Sequence, residues 1–361
     1  MPADIRSLTG VRGVAAVLIV LYHFGNVPLL GPGTAPYYRV PHGYLAVDLF
    51  FMLSGYVMAY VYRDAFVASP WRHYADFLVK RVARLYPAYL VIAALYPIKI
   101  LLGLSRDTLA YFRPWDWVGN LLMLTGWGLH VQPIVGVSWA ASAELGSYLL
   151  LPLLLVVIIR RGPLLSVVGC ALALAAVVGI AMSGLGSAGP LDVTNGDSML
   201  PLLRAVAGFA IGLGIFRIAH YLDGLSMAMQ DGLVAVLTLT IVGVGILVHH
   251  DLPIYLLFIP FVALLSRDGR LAQALYGNRL VYHIGLISYS IYLLHQLLLS
   301  FAVEAARALG STPLAYAACV TGALAVIWLL AWLSYTFVEM PGRRWLASWL
   351  QPAKRLLPTR T

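Results

Sequence analysis

From residue 11 to residue 336 the chain is a succession of apolar runs, most of them close to the roughly 20 residues needed to cross a hydrocarbon core. On that criterion, spans are placed at 11–28, 44–62, 82–103, 138–159, 163–184, 200–219, 232–249, 252–266, 284–305 and 313–336, with 252–266 the shortest. Only 11% of the residues are charged and 61% are hydrophobic, whereas an average soluble domain carries about 25% charge. The expectation is an all-α, polytopic membrane protein with about ten transmembrane helices, forming one helical domain over residues 1–361. The run 118–131 is too short to span, and Gly119, Gly126 and Gly128 interrupt it. It reads as a re-entrant or interfacial piece, which needs protein or a water-filled cavity to cover its backbone.

Loop charge orients the spans. With both termini in the cytosol, the inner loops carry "RRGP", "SRDGRLAQALYGNR" and the arginines of residues 63–81, while the outer loops at 185–199 and 249–251 hold no Lys or Arg. Counting 118–131 as a span would reverse every later loop and put those arginines outside. The net charge of +9 is thus spent on membrane orientation, and nucleic acid is excluded as a partner. Cys170 and Cys319 both lie in apolar runs and suggest neither a disulfide nor a metal site. No cleavable leader is evident at the N-terminus. The outer loop 104–137 carries Trp115, Trp117 and Trp127, suited to a membrane interface or a stacking surface.

Ionisable residues inside spans are costly and usually line functional cavities. His23, Asp48, Glu144 and His295 are the main cases. At about 1.5 Å per residue, His23, Asp48 and Glu144 lie roughly 8, 6 and 9 Å below the outer surface, in one layer. An imidazole near neutral pH can take a proton from a hydroxyl while a carboxylate fixes its tautomer. His23, Glu144 and Asp48 are therefore the candidate catalytic residues, although Asp48 also reads as a structural helix N-terminal carboxylate. His295, near mid-membrane, also has a packing role open to it through a hydrogen bond. At the cytosolic side, Arg81 and Arg84 share a helix face, Arg12 begins the helix that carries His23, and Arg343 and Arg344 lie in the tail. Such arginines either bind phosphate by forked hydrogen bonds or simply orient the protein against anionic lipid.

The same residues carry a family resemblance. Arg12 and His23 are separated by ten residues, Arg81-x-x-Arg84 follows the second span, and "VDLFFMLSGY" holds Asp48, Phe51, Ser54 and Gly55. "SWAASAEL" brings Trp139, Ser142 and Glu144, and "ISYSIYLLHQ" and "FVEMPGRRW" follow in order. Together they resemble the acyltransferase 3 family of bacterial integral-membrane O-acyltransferases along nearly the whole chain. The resemblance implies a multi-pass protein of the bacterial inner membrane. Such a protein moves an acyl group, usually acetyl, from cytosolic acyl-CoA to a hydroxyl of an extracytoplasmic glycan or glycosylated acceptor. It implies His23 as the essential histidine and Arg81 and Arg84 as donor-binding residues, with Arg12 beside them. Thr9 stands where many members have an aspartate, Met340 replaces a common arginine, and no extracellular SGNH-type domain is expected after the last span.

Arg12 and His23 are about 16–17 Å apart along a helix, comparable to a phosphopantetheine arm. CoA phosphates held by arginines would then present the thioester near His23. Direct transfer with His23 as general base is favoured over a relay through an acyl-enzyme. Ser54, Ser142 and Tyr22 are the candidate oxyanion donors. Beyond the acceptor, membrane lipid is a partner, and an oligomer is left open. The rival class is a proton-coupled transporter or a flippase of a lipid-linked glycan, in which the buried His, Asp and Glu would relay protons.

Overall fold

The computed structural model describes residues 4–25, 40–68, 71, 73–104, 108–310 and 312–350. Among them there is no β-strand. The helices are α1 (Arg6–Gly25), α2 (Ala46–Ala68), α3 (Tyr74–Leu101), α4 (Pro114–Leu121), α5 (Ser138–Leu155), α6 (Pro163–Met182) and α7 (Leu200–Ile218). They continue as α8 (Met227–Leu247), α9 (Asp251–Leu265), α10 (Arg270–Leu275), α11 (Arg279–Leu286), α12 (Ser288–Ala308), α13 (Pro313–Ser334) and α14 (Met340–Leu350). Eight helical stretches among the described residues are long and apolar enough to cross a membrane, nine if the bent pair α11–α12 counts as one. The 15-residue α9 accounts for the remaining and shortest run, 252–266. The far end of the expected first span, residues 26–28, lies outside the described residues.

Three details depart from the expected boundaries. The third span begins earlier, at Tyr74, so Arg81 and Arg84 lie within a helix of 28 residues. The run 284–305 is not one straight helix: α11 and α12 meet at an angle of 70°. The bend follows from close packing of α11 on α1. A Cβ on Gly285 would stand 2.0 Å from the Thr9 carbonyl oxygen, so only glycine allows the two backbones to approach this far. The last span also runs on, because a π-helical turn (Tyr335–Glu339) joins α13 to α14.

The buried centre is formed by α1, α2, α5, α7 and α12, and α2 packs on α7 through a second close approach. A Cβ on Gly55 would meet the Phe209 carbonyl oxygen at 2.0 Å. α8 is apolar on all sides, with Leu239 and Ile246 exposed, as suits a lipid-facing helix. Asp251 starts α9, where the helix dipole favours a carboxylate, and it ties together the segments before α2, α7 and α9. It accepts hydrogen bonds from His42 Nδ1 (2.7 Å), Tyr44 (2.5 Å) and the Leu191 N–H (2.6 Å).

The segment 118–131 does not span, as expected: after α4 it continues as turns, with Gly126 and Gly128 at positive φ. Asp116 and Asn120, four apart on α4, pin its return. Asp116 accepts from the Arg113 guanidinium (2.9 Å) and the Gln132 N–H (2.9 Å), and Asn120 accepts from the Ile134 N–H (2.9 Å). The Arg113 hydrogen bonds, then those from backbone N–H groups, hold the Asp116 carboxyl down to about 2, against its burial. A carboxylate lowered in this way stabilises the fold above its unfolded range near 3.8 and loses that contribution as pH falls through about 2. Protection of the Gln132 and Ile134 amides, relative to intrinsic exchange at each pH, should therefore fall between about pH 4 and pH 2, and Asp116→Asn should remove that pH dependence. Protection in the unaltered protein that does not change over this range would contradict the assignment.

Candidate active site

At one end of the bundle, a cavity of about 310 Å³ is walled by α1, α2, α3, α11 and the π turn, with Arg12, Arg84, Glu339 and Arg343 in its lining. The π turn widens the helix by one residue and carries Glu339 inward, where it accepts from Ser290 Oγ (3.3 Å). Among the described residues, the guanidinium groups of Arg12, Arg84 and Arg343 make no hydrogen bond or ion pair, and all three are only partly buried. Guanidinium groups left without protein acceptors in a cavity form a site for phosphate or carboxylate oxygens. Thr9, the departure from the family pattern, donates to Asp4 (3.0 Å), so a carboxylate still reaches this cavity.

Arg81 sits differently from Arg84. It is buried, donates to the Tyr62 hydroxyl (3.1 Å), and lies over the rings of Tyr62, Phe77 and Tyr148 at 5.5–5.9 Å. Its Nε has no partner. The aromatic packing around Arg81 holds α2, α3 and α5 together. Arg344, in contrast to its neighbour Arg343, is exposed.

Arg12 also lines a second, narrower cavity of about 50 Å³, together with Phe50, Glu144, Tyr289 and Tyr292. The two cavities therefore share the Arg12 side chain as a common wall. Glu144 Oε1 accepts from Tyr148 (2.6 Å) and from Ser54 Oγ. The expected pairing of Glu144 with His23 is not observed among the described residues. Counting residues from an assumed span end misjudges height as well as azimuth: α5 brings Glu144 to Ser54, six residues along α2 from Asp48, and to Arg12, eleven positions from His23.

The imidazole of His23 has another histidine as its neighbour. His295 Nε2 lies 3.3 Å from His23 Nδ1, with ring centroids 4.9 Å apart. His23 Nδ1 also lies 2.9 Å from the Ile19 carbonyl oxygen. A carbonyl only accepts, so in the neutral ring Nδ1 carries the proton and Nε2 keeps the basic lone pair. His295 is fully buried and its Nδ1 has no partner.

Asp48 is removed from this group. Its carboxylate takes a two-pronged ion pair from Arg204, with Nε–Oδ1 at 2.8 Å and Nη2–Oδ2 at 2.6 Å, and both side chains are fully buried. Trp139 covers the guanidinium at 5.5 Å. Sequence reasoning missed Arg204, although an arginine inside "LPLLRAVAGF" violates span composition as plainly as Asp48 does. It also passed over Glu339, which falls beyond the last apolar run and enters the site only through the π turn.

A family model described as an acyltransferase domain matches residues 5–332. Acyltransferase MdmB of Streptomyces mycarofaciens is 31% identical over 231 residues, covering 62% of this chain and 56% of that protein. The putative membrane-bound transacylase BcsY of Komagataeibacter xylinus is 25% identical over 365 residues, covering 93% and 82%. O-acetyltransferase OatA of Staphylococcus aureus is 24% identical over 170 residues, covering 44% of this chain and 26% of its own. No solved structure matches. The arginine-walled cavity, the ordered motifs and a match spanning nearly all of the described helices have one explanation: the chain belongs to the acyltransferase 3 family of membrane acyltransferases.

Proposed function

We propose that the protein transfers an acyl group, acetyl being the first candidate, from acyl-CoA to a hydroxyl of a carbohydrate-bearing acceptor on the far side of the bacterial inner membrane. The observation that carries this reading is the shared Arg12 wall. A cavity lined by guanidinium groups without protein acceptors adjoins a narrow one that leads past Glu144 toward Tyr292, whose ring lies 5.8 Å from that of His295. Loop charge puts the arginine end in the cytosol, where acyl-CoA is found. Arg84, Arg12 and Arg343 hold the CoA phosphates, and Arg81 braces the helix face that presents Arg84.

The chemistry then needs one base. His23 Nε2 takes the proton of the acceptor hydroxyl as its oxygen attacks the thioester carbonyl carbon. The tetrahedral oxyanion collapses by breaking the C–S bond, and the departing CoA thiolate recovers the proton from the imidazolium. An alcohol and a thioester become an ester and a thiol. Glu144, held by Ser54 and Tyr148, faces the donor beside Arg12 and positions the passage in place of the base.

Purified protein given radiolabelled acyl-CoA and host surface glycan should release CoA thiol in step with label entering the glycan. Arg84→Ala should raise the KM for acyl-CoA about 10- to 150-fold, the loss of a charge-assisted contact of about 1.5–3 kcal/mol. Glycan accumulation in vesicles without thiol release would instead establish transport.

A further inference from the structure

The opposite end of the bundle holds a larger cavity, about 450 Å³, between the end of α3, the middle of α12 and residues 108–136. That volume falls within the roughly 300–1,000 Å³ of small-molecule sites. Its lining differs from that of the arginine cavity. Tyr111 is 76% exposed, and the rings of Phe112 and Trp117 stand 5.6 Å apart beside it. The Tyr96 hydroxyl is buried in the wall without a partner. Lys99 donates to Ser300 Oγ (2.6 Å) and lies 5.0 Å over the Phe301 ring, so its ammonium is fixed in direction. Gln296 Oε1 accepts from the Val137 N–H (3.0 Å), which leaves its amide N–H donors without a partner among the described residues.

Flat aromatic faces, the unpartnered amide of Gln296 and phenol of Tyr96, and an exposed mouth match the surface of a sugar. A pyranose offers an apolar C–H face for stacking and a rim of hydroxyls for amide, phenol and ammonium groups. The cavity lies one residue along the chain from the histidines. Gln296 follows His295, whose ring touches His23, and Val137 accepts from Tyr292 (2.9 Å) on the wall of the narrow inner passage. We infer that this outer cavity is the acceptor subsite. In it, a glycan ring stacks on the Trp117 and Phe112 face while Gln296, Lys99 and Tyr96 bind its hydroxyls, one of which points at the histidine pair. The inference rests on the acyl-transfer reading and adds to it where the acceptor binds.

The test separates the two. Full-length His23→Ala protein in nanodiscs, which binds without turning over, is offered β-1,4-linked tetrasaccharides of glucose and of N-acetylglucosamine. Saturation-transfer NMR reads sugar binding, and acyl-CoA affinity is titrated on the same samples. At least one tetrasaccharide should take saturation on its ring protons. Trp117→Ala and Gln296→Glu, which keeps the acceptor for the Val137 N–H and removes the amide donors, should each weaken it by about tenfold or more, with acyl-CoA affinity unchanged. Tyr96→Phe, which keeps the ring, should give a smaller loss. No saturation with either sugar, or saturation that survives Trp117→Ala combined with Gln296→Glu, overturns the subsite. Variants that alter only lipid dependence would make Trp117 a membrane-interface residue, which also overturns it. Sugar binding with no acyl-CoA binding would instead defeat the donor reading and leave this cavity standing.

Discussion

Asp48→Asn should lower the stability of the protein by about 3–5 kcal/mol, the cost of breaking a buried ion pair from one side. Arg204→Met should do the same. Both side chains are fully buried, and the pair is bidentate, so either change strands a charge or a set of donors in apolar surroundings. One Arg204 nitrogen, Nη1, is already without a partner, so the site has little spare capacity to absorb the loss. Replacing both residues by apolar ones of similar size, Asp48→Leu with Arg204→Met, should recover most of the stability, because a buried pair and its hydrophobic substitute are often close in energy. Thermal unfolding of detergent-purified variants is the measurement. A role for Asp48 in proton transfer would give the opposite pattern, with Asp48→Asn well folded and inactive. An unchanged unfolding transition in Asp48→Asn would remove the structural assignment.

The ion pair also marks the limit of what the sequence conveys. Apolar runs and loop charge are one-dimensional signals, and they gave the helices of the bundle and the end that gathers the arginines. Arg12, Arg84 and Arg343 were legible because charge beside an apolar run gathers at one end of the bundle, although Arg84 lies inside α3 and not at its end. Contacts depend on azimuth as well, and azimuth is set by packing. The expected common layer of Asp48, His23 and Glu144 does not hold, because Glu144 bonds Ser54, six residues along α2 from Asp48, and shares a cavity with Arg12, and the three look toward Arg204, His295 and Ser54 respectively. The kink between α11 and α12 was equally hidden, because no proline marks it. It follows from the contact of Gly285 with the Thr9 carbonyl, a tertiary fact. The π turn that admits Glu339 has no compositional mark either.

His23→Ala should reduce the turnover of acyl transfer by about 10²–10⁴-fold, the usual cost of losing a general base, while acyl-CoA affinity stays within experimental error. The grounds are geometric: the Ile19 carbonyl keeps the proton on Nδ1, which leaves Nε2 as the basic atom. His295 touches only the Nδ1 side, so it positions the ring and takes no proton from the acceptor. His295→Gln should therefore cost less than His23→Ala, and adding it to His23→Ala should change little, because residues acting through one group are not additive. Glu144→Gln should behave otherwise. Its partners are Ser54 and Tyr148, and it shares its cavity with Arg12, so its loss should multiply with that of His23 and appear partly as a higher KM for acyl-CoA. Single-turnover rates on folded protein, compared at saturating donor, separate these cases. A structural histidine would lose folded protein, with activity in proportion. Full turnover by well-folded His23→Ala would sink the assignment of the base, and non-additivity between His23→Ala and Glu144→Gln would restore a direct pairing that the helix orientations argue against.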